Sequence, residues 1–162
     1  MIKKVSFPKS FWHISEQIGY ARSVINSKND NINKIKKYDR GEKNSHVDTI
    51  GILGELIAID YLTENNIEYS ANKLLDYVPS KSADVIVNDK RIDVKTSKQS
   101  KYKTVLVNKE AHLKGMGKID LYWFVYLLDD VTAEFYFFNY DEINNWDSKL
   151  MKYTEAYYKK IK

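Results

Sequence analysis

The sequence contains no cysteine and only two prolines among 162 residues. Without cysteine there is no disulfide framework, no thiol nucleophile and no thiolate zinc site, a composition that suits a reducing compartment. Long apolar runs are also missing. The longest, Leu121 to Leu128, is far too short to cross a bilayer as a helix. The first eight residues, Met-Ile-Lys-Lys-Val-Ser-Phe-Pro, begin basic but have no apolar stretch of signal-peptide type. The expected location is therefore cytoplasmic, with no membrane partner. No Gly-x-x-x-x-Gly-Lys-[Ser/Thr] loop occurs, so a nucleotide cofactor is not expected. His13, His46 and His112 lack the i, i+3 or i, i+4 spacing of a zinc-binding helix, and surface or capping roles are expected of them.

What is present is charge, aromatic rings and periodic apolar residues. With 43% hydrophobic and 30% charged residues, the chain suits one soluble globular domain able to bury its own core. The net charge is a mild +4, from 26 Lys and Arg against 22 Asp and Glu, but it is unevenly distributed. Between Lys90 and Lys118 nine basic residues face two acids, Asp93 and Glu110, and a polyanion would be drawn to that stretch. Lys98, Lys101, Lys103, Lys114 and Lys118 are the candidate phosphate contacts. The 13 tyrosines, six phenylalanines and three tryptophans are expected mainly in the core. Base stacking on some of them is the rarer use.

Phe11, Ile14, Ile18, Ala21 and Ile25 recur at helical spacing, which predicts an amphipathic helix over about 10–25. Residues 27–44 turn polar and read as a loop or a frayed helical extension. A second helix should begin near Ser45, where Ser45-x-x-Asp48 can satisfy the first free amides, and run to about Thr63. The period then changes. Ala83–Val87 and Arg91–Lys95 are short β-type runs separated by Asn88-Asp89-Lys90, a hairpin pattern. Thr104–Val107 is a further short strand, and Leu121–Leu128 reads as a central strand covered on both faces. Asp129-Asp130 make a turn before a strand over Ala133–Phe138, and the tail from Asp141 shows helical spacing through Ile143, Trp146, Leu150, Tyr153 and Tyr157. The expected fold class is α/β in the broad sense, an α+β mixed sheet flanked by helices. One domain is expected over 1–162: an N-terminal helix and polar loop over 1–44, a core over 45–140 and a C-terminal helix over 141–162.

The hairpin carries three ionisable residues. Asp84 opens its first strand, and Asp93 and Lys95, two apart on the second, point to one face while Ile92 and Val94 point to the other. Two carboxylates suffice to hold a hard cation such as Mg2+, which prefers oxygen ligands and keeps several waters beside a substrate phosphate. Such a cation activates its water and neutralises charge on the phosphate, and Lys95 can orient the water or stabilise the transition state. Glu55 adds to this independently. On a helical projection Gly51, Gly54, Glu55 and Ala58 share one face, where a glutamate is costly unless paired or bound to metal. The glycines cost helix stability as well, which makes sense if the helix approaches the sheet closely. The competing explanation of Asp93 and Lys95 is an ion pair on an exposed strand. A second acid-x-Lys triplet, Asp147-Ser148-Lys149, falls in the expected C-terminal helix without a partnering hairpin and reads as a surface charge pair.

The pattern Gly51-x-x-Gly54-Glu55 on a helix, then Asp84, a hairpin, and Asp93-Val94-Lys95 resembles the PD-(D/E)xK nuclease superfamily. The resemblance covers roughly 45–107, with Leu121–Leu128 as a later core strand. It implies a restriction-endonuclease-like αβββαβ core, here with added N- and C-terminal helices, and hydrolysis of a phosphodiester bond with Mg2+, for which Mn2+ substitutes. Asp84 matches the first acid of the motif, Asp93 the second, Lys95 the lysine and Glu55 the helical acid of many members. Metal ligation is thereby implied for Asp84, Asp93 and Glu55. Ala83 stands where the motif usually has proline, with Pro79 further upstream. The expected activity is that of an endonuclease on DNA, as a restriction, junction-resolving or phage-type enzyme, with a homodimer if the target is two-fold or branched. A non-catalytic binding or inhibitor module that keeps the fold, and an RNA-directed nuclease, are the alternatives.

Overall fold

The change of period along the chain marks two long helices followed by strands. The computed structural model describes residues 2–33, 44–72, 83–99, 101–152 and 154–162, with four helices and nine strands among them. Helix α1 spans Ser10–Asn33 and α2 spans Asn44–Glu64. The helical extension of the polar segment is thus real as far as Asn33. Residues 34–43 lie outside the described residues, as do the side chain of Ser45 and Pro79. The two helices cross at close range at Gly19, where a Cβ would stand 2.6 Å from Thr49 Oγ1 and 2.8 Å from the Thr49 backbone nitrogen.

Short strands β1 (Lys3–Ser6) and β2 (Ser70–Ala71) close the two ends of the main sheet. Between them lie β3 (Val85–Val87), β4 (Lys90–Lys98), β6 (Leu121–Leu127) and β7 (Thr132–Asn139), in the order β1-β7-β6-β4-β3-β2. The β3–β4 hairpin is closed by Asn88 and Asp89, both at positive φ (47° and 61°), a primed turn that matches strand twist. Strand β6 runs parallel to β4 and antiparallel to β7. Its continuous apolar run serves two cores. Trp123, Val125 and Leu127 join Leu53 and Ile57 of α2, while Tyr122, Phe124 and Tyr126 turn to the opposite face. Fully burying side chains of this kind stabilises by roughly 1.5–3 kcal/mol each.

The opposite face is covered by a three-stranded sheet, β5-β9-β8, made of β5 (Thr104–Asn108), β8 (Asp147–Leu150) and β9 (Glu155–Lys160). This corrects the expectation of a C-terminal helix over 141–162. Only α4, Tyr140–Ile143, is helical there, and the chain then turns back as a β-hairpin. Helical spacing loses because Val105 and Val107 of β5 are buried and their backbone needs a ladder partner, which β9 supplies along five residue pairs. Leu150, counted toward the helical stripe, is instead 83% exposed. Asp147 and Lys149 therefore lie on a strand after all, and they stay at the surface.

A buried histidine ties the short helix α3 (Lys109–Lys114) to this face. His112 is fully buried, stacks on Tyr140 at 4.1 Å between ring centres, and lies 3.0 Å from Tyr122 Oη and 3.1 Å from Asn144 Oδ1. The expected surface or capping role is wrong for this residue. Its ring bonds satisfy both nitrogens inside the core, and burial pushes its pKa below the ordinary imidazole value.

Candidate active site

The main-sheet hairpin comes apart at the point where its carboxylates sit. Strand β3 pairs with β4 only as far as Val85 opposite Ile92. One residue beyond that pair on each strand stand Asp84 and Asp93, which therefore face each other on one side of the hairpin. The Asp84 amide still donates to Ile92 O (2.9 Å), but the next ladder position is taken by its side chain: Val94 N donates to Asp84 Oδ2 at 2.8 Å. A carboxylate thus replaces a backbone acceptor where the strands diverge. The gap opens into a cleft of about 520 Å3 whose lining includes Arg22, Glu55, Asp84, Asp93, Lys95 and Lys98.

Helix α2 brings Glu55 to this cleft because Gly54 lets it lie directly on β4. A Cβ on Gly54 would collide with the Thr96 hydroxyl and stand 3.0 Å from Thr96 Cβ. Gly51, one turn earlier, also lines the cleft, and a Cβ there would meet nothing within 4 Å. The two glycines therefore do different work: one permits contact with the sheet and the other leaves the cleft open. The far end of the β4–β6 pair is held by Arg91, whose Nη2 and Nε both donate to the Asp120 carboxylate at 2.8 Å.

All four residues expected in the site thus line one cleft, and each carboxylate has a partner. Lys95 Nζ donates to Asp93 Oδ1 at 2.6 Å, so the same-face ion pair exists, inside the cleft rather than on an open strand. Arg22 of α1 reaches Glu55 with both terminal nitrogens, at 3.3 and 3.4 Å. Burial, with the carboxylates of Asp93 and Glu55 nearby, holds the Asp84 carboxyl well above the ordinary carboxylate range, and Lys95 offsets part of that rise. Burial also works against the charged form of Lys95, but Asp93, Asp84 and Glu55 outweigh it and raise the ammonium above its usual value. Among the described residues no group of three or more His, Asp or Glu side chains stands ready to hold a metal ion together. Glu55 is turned to Arg22 and Asp93 to Lys95.

The lysines expected to touch nucleic acid divide sharply. Lys98 lies at the cleft, 3.1 Å from His46 Nε2, with its ammonium 5.5 Å from the centre of the Trp12 ring. Lys101 lies beyond the end of β4, over Tyr102. Lys103 is committed to structure: it pairs with Glu134, which also accepts from Tyr136 Oη at 2.6 Å. Lys114 pairs with Glu110 one helical turn away, and Lys118 is exposed in the turn after α3. Of these five lysines Lys98 alone lines the cleft.

Arg22 and Thr96 were not singled out by sequence reasoning, and His46, expected at the surface or in a cap, lines the cleft beside Lys98. Arg22 carried a usable signal, since it falls four residues after Ile18 on the stripe that also holds Ser15 and Gly19. Ser15 is fully buried and Gly19 touches α2, so a charged residue on that stripe requires a partner. No protein-family model matches this sequence, and no curated protein is significantly similar to it.

Proposed function

We propose that the cleft hydrolyses phosphodiester bonds in DNA with the help of Mg2+, as the PD-(D/E)xK nucleases do. The observation that carries this reading is the divergence of β3 and β4, which sets Asp84 opposite Asp93 and leaves Lys95 and Glu55 lining the same opening. The fold supports it as well. With β5 set aside in the other sheet, the elements α2, β2, β3, β4, α3 and β6, with β2, β3 and β4 antiparallel and β6 parallel to β4, follow the order expected of an αβββαβ core. Its first strand is Ser70–Ala71, and Thr104–Asn108 belongs to the other sheet.

The donor chemistry fits a hard cation. Asp84 is crowded by like charge from Asp93 and Glu55, and a divalent ion would relieve that repulsion directly. Asp84 and Asp93 would hold the ion, with Glu55 reaching it directly or through water once it releases Arg22. When bound, the cation supplies an activated water and neutralises the phosphate. Lys95, held by Asp93, keeps an ammonium at the reacting phosphate, where it stabilises the added negative charge and orients the attacking water. Hydrolysis adds water at phosphorus and breaks the bond to the leaving oxygen, the water giving up a proton to solvent as the leaving oxygen takes one up. Arg22 and Lys98 bring further positive charge to the strand, which orients the substrate.

One observation favours a second reading, a non-catalytic nucleic-acid-binding module. The carboxylates are already satisfied by Arg22, Lys95 and the Val94 amide. The two readings separate in one assay. Purified protein is incubated with plasmid, linear, branched and RNA substrates in Mg2+, Mn2+ or EDTA, beside Asp84→Ala and Lys95→Ala. Metal-dependent cleavage of DNA, lost in both variants while folding is kept, is the expected result. Cleavage unaffected by either change removes these residues from the site, and binding without cleavage in any metal establishes the module. Cleavage confined to RNA reassigns the substrate.

A further inference from the structure

The three-stranded sheet carries a face that the cleft does not use. Several lysines in this protein are neutralised by carboxylates, among them Lys103 by Glu134, Lys109 by Glu155 and Lys114 by Glu110. Lys101, Lys149, Lys159 and Lys160 form no ion pair among the described residues, and each ammonium lies over an aromatic ring instead. Lys101 and Lys160 place Nζ 5.6 and 5.4 Å from the centre of Tyr102. Lys149 lies 4.9 Å from the centre of Tyr158, and Lys159 lies 4.8 Å from Phe138 and 5.5 Å from Trp146.

The ladder sets Lys149 and Lys160 on one face, with Lys159 turned to the other. Thr104 is opposite Lys160 and Asp147 is opposite Tyr158, so Tyr158 and Lys160 share a face with Lys149 of β8. A groove of about 410 Å3 runs beside them, lined by Trp146, Tyr158, Lys159 and Lys160 together with Asn145 and Asp147. Asp147 is the one acid in that lining. Tyr102 stands at the end of the sheet, 61% exposed. In sequence it follows Lys98 of the cleft by four residues.

We propose that this face is a docking surface for single-stranded DNA. Un-neutralised ammonium groups suit phosphates, and an exposed ring suits the face of an unpaired base. A duplex would offer the phosphates but keep its bases stacked on one another. An acidic peptide would use the lysines and leave Tyr102 without purpose. The choice of DNA over RNA rests on the nuclease reading of the cleft. The preference for an unpaired strand rests on the face alone, and it makes a duplex with a single-stranded tail or branch the natural substrate of the whole protein.

Binding is measured in EDTA, so that the outcome does not depend on cleavage. Fluorescence anisotropy is read with labelled oligothymidylate, oligouridylate and duplex DNA, each of about 20 nucleotides or base pairs, enough to span a site of this kind. Oligothymidylate is expected to bind tightest. Tyr102→Ala should weaken it by roughly 5- to 150-fold, the range found for one stacked base, while Tyr102→Phe stays within about twofold. Replacing Lys101, Lys149 and Lys160 with alanine should flatten the slope of log affinity against log salt by about 2, at about 0.7 per phosphate on a single strand. Circular dichroism and melting of each variant check that the fold is kept. Equal affinity for duplex and single strand, or no loss in Tyr102→Ala, overturns the proposal. Tighter binding to oligouridylate overturns the assignment to DNA, and binding to anionic vesicles with none to oligothymidylate replaces the partner with a membrane surface. Loss of cleavage in Asp84→Ala with oligothymidylate binding unchanged separates this face from the cleft.

Discussion

Asp84 accepts a hydrogen bond from the backbone amide of Val94, 2.8 Å away, at the position where the next rung of the hairpin ladder would be. That bond explains how a carboxylate with a raised pKa is tolerated there. It satisfies an otherwise orphaned amide of β4, and it fixes the oxygen at the mouth of the cleft. The same bond commits the residue to a position beside Asp93 and Glu55, where its charge is repelled. Stability and the proposed chemistry thus pull in opposite directions at one residue.

Asp84→Asn separates them. Asparagine keeps an oxygen for the Val94 amide but carries no charge, so the repulsion from Asp93 and Glu55 disappears. A carboxyl whose pKa is raised on folding favours the folded state below its ordinary value near 3.8 and loses that contribution as pH rises through the raised value. Above that raised value the wild type bears the full repulsion, and there the variant should be more stable by about 0.5–2 kcal/mol, the usual scale of a single stabilising substitution. That corresponds to a melting temperature higher by roughly 1–8 °C. Metal-dependent cleavage should be lost. Calorimetry in EDTA across pH 4–8 checks the first part and a plasmid assay the second; a lower melting temperature throughout that range would show that the repulsion is not felt.

The contact of Gly54 with Thr96 makes a second expectation. Alanine at 54 gains about 1 kcal/mol of helix propensity. It also drives a methyl group into Thr96, at 3.0 Å from Cβ and 3.1 Å from Cγ2 and closer still to the hydroxyl. Overpacking of this kind costs typically 1–3 kcal/mol, so Gly54→Ala should lower the melting temperature by a few degrees and displace Glu55. Thr96→Ala removes the hydroxyl and the Cγ2 methyl. The Thr96 hydroxyl is buried without a hydrogen-bond partner among the described residues, so this change alone should be mild. The double variant should recover much of the loss in a denaturation cycle.

Gly51 should respond in the opposite way. Its Cβ would meet nothing, and it lines the cleft. Gly51→Ala should therefore raise stability by about 1 kcal/mol through helix propensity alone. Gly51→Trp fills the open space, and it should depress cleavage at least tenfold without lowering the melting temperature. Equal cleavage by the tryptophan variant would show that substrate does not pass over this face of α2.

The site was more legible in the sequence than the architecture around it, for physical reasons. Asp93 and Lys95 are two residues apart on a strand, and Gly51, Gly54 and Glu55 lie within about a turn and a half of a helix, so local periodicity alone places them. Asp84 needed only a turn of recognisable chemistry, Asn88-Asp89, to be set opposite Asp93. Arg22 was missed because its partner lies 33 residues away on another helix. The tail was misread because Ile143, Trp146, Leu150, Tyr153 and Tyr157 mimic a helical stripe, while the unpaired edge of β5 that captures 155–160 is visible only in three dimensions. His112 was misplaced for a related reason: its partners Tyr122, Tyr140 and Asn144 lie 10 to 32 residues further along the chain.

The burial of His112 gives the fold an acid limit that can be measured. Burial lowers its pKa, and although Asn144 and the charges of Asp141 and Asp93 push it back up, the net shift is downward. The unfolded chain therefore takes up a proton near the ordinary imidazole value of 6.5 while the folded protein resists it. By linkage this stabilises the folded state above that value, and the contribution is lost as pH falls through 6.5 toward the lowered folded value. Urea denaturation between pH 7.5 and 5 should show stability declining over that window. His112→Gln offers side-chain oxygen and nitrogen to Tyr122 and Asn144 but does not titrate. It should lower stability at pH 7.5 by roughly 1–3 kcal/mol, for the lost stacking on Tyr140 and the imperfect hydrogen bonds, and remove the His112 part of the pH dependence. A variant whose slope matched that of the wild type would show that the imidazole is protonated inside the core.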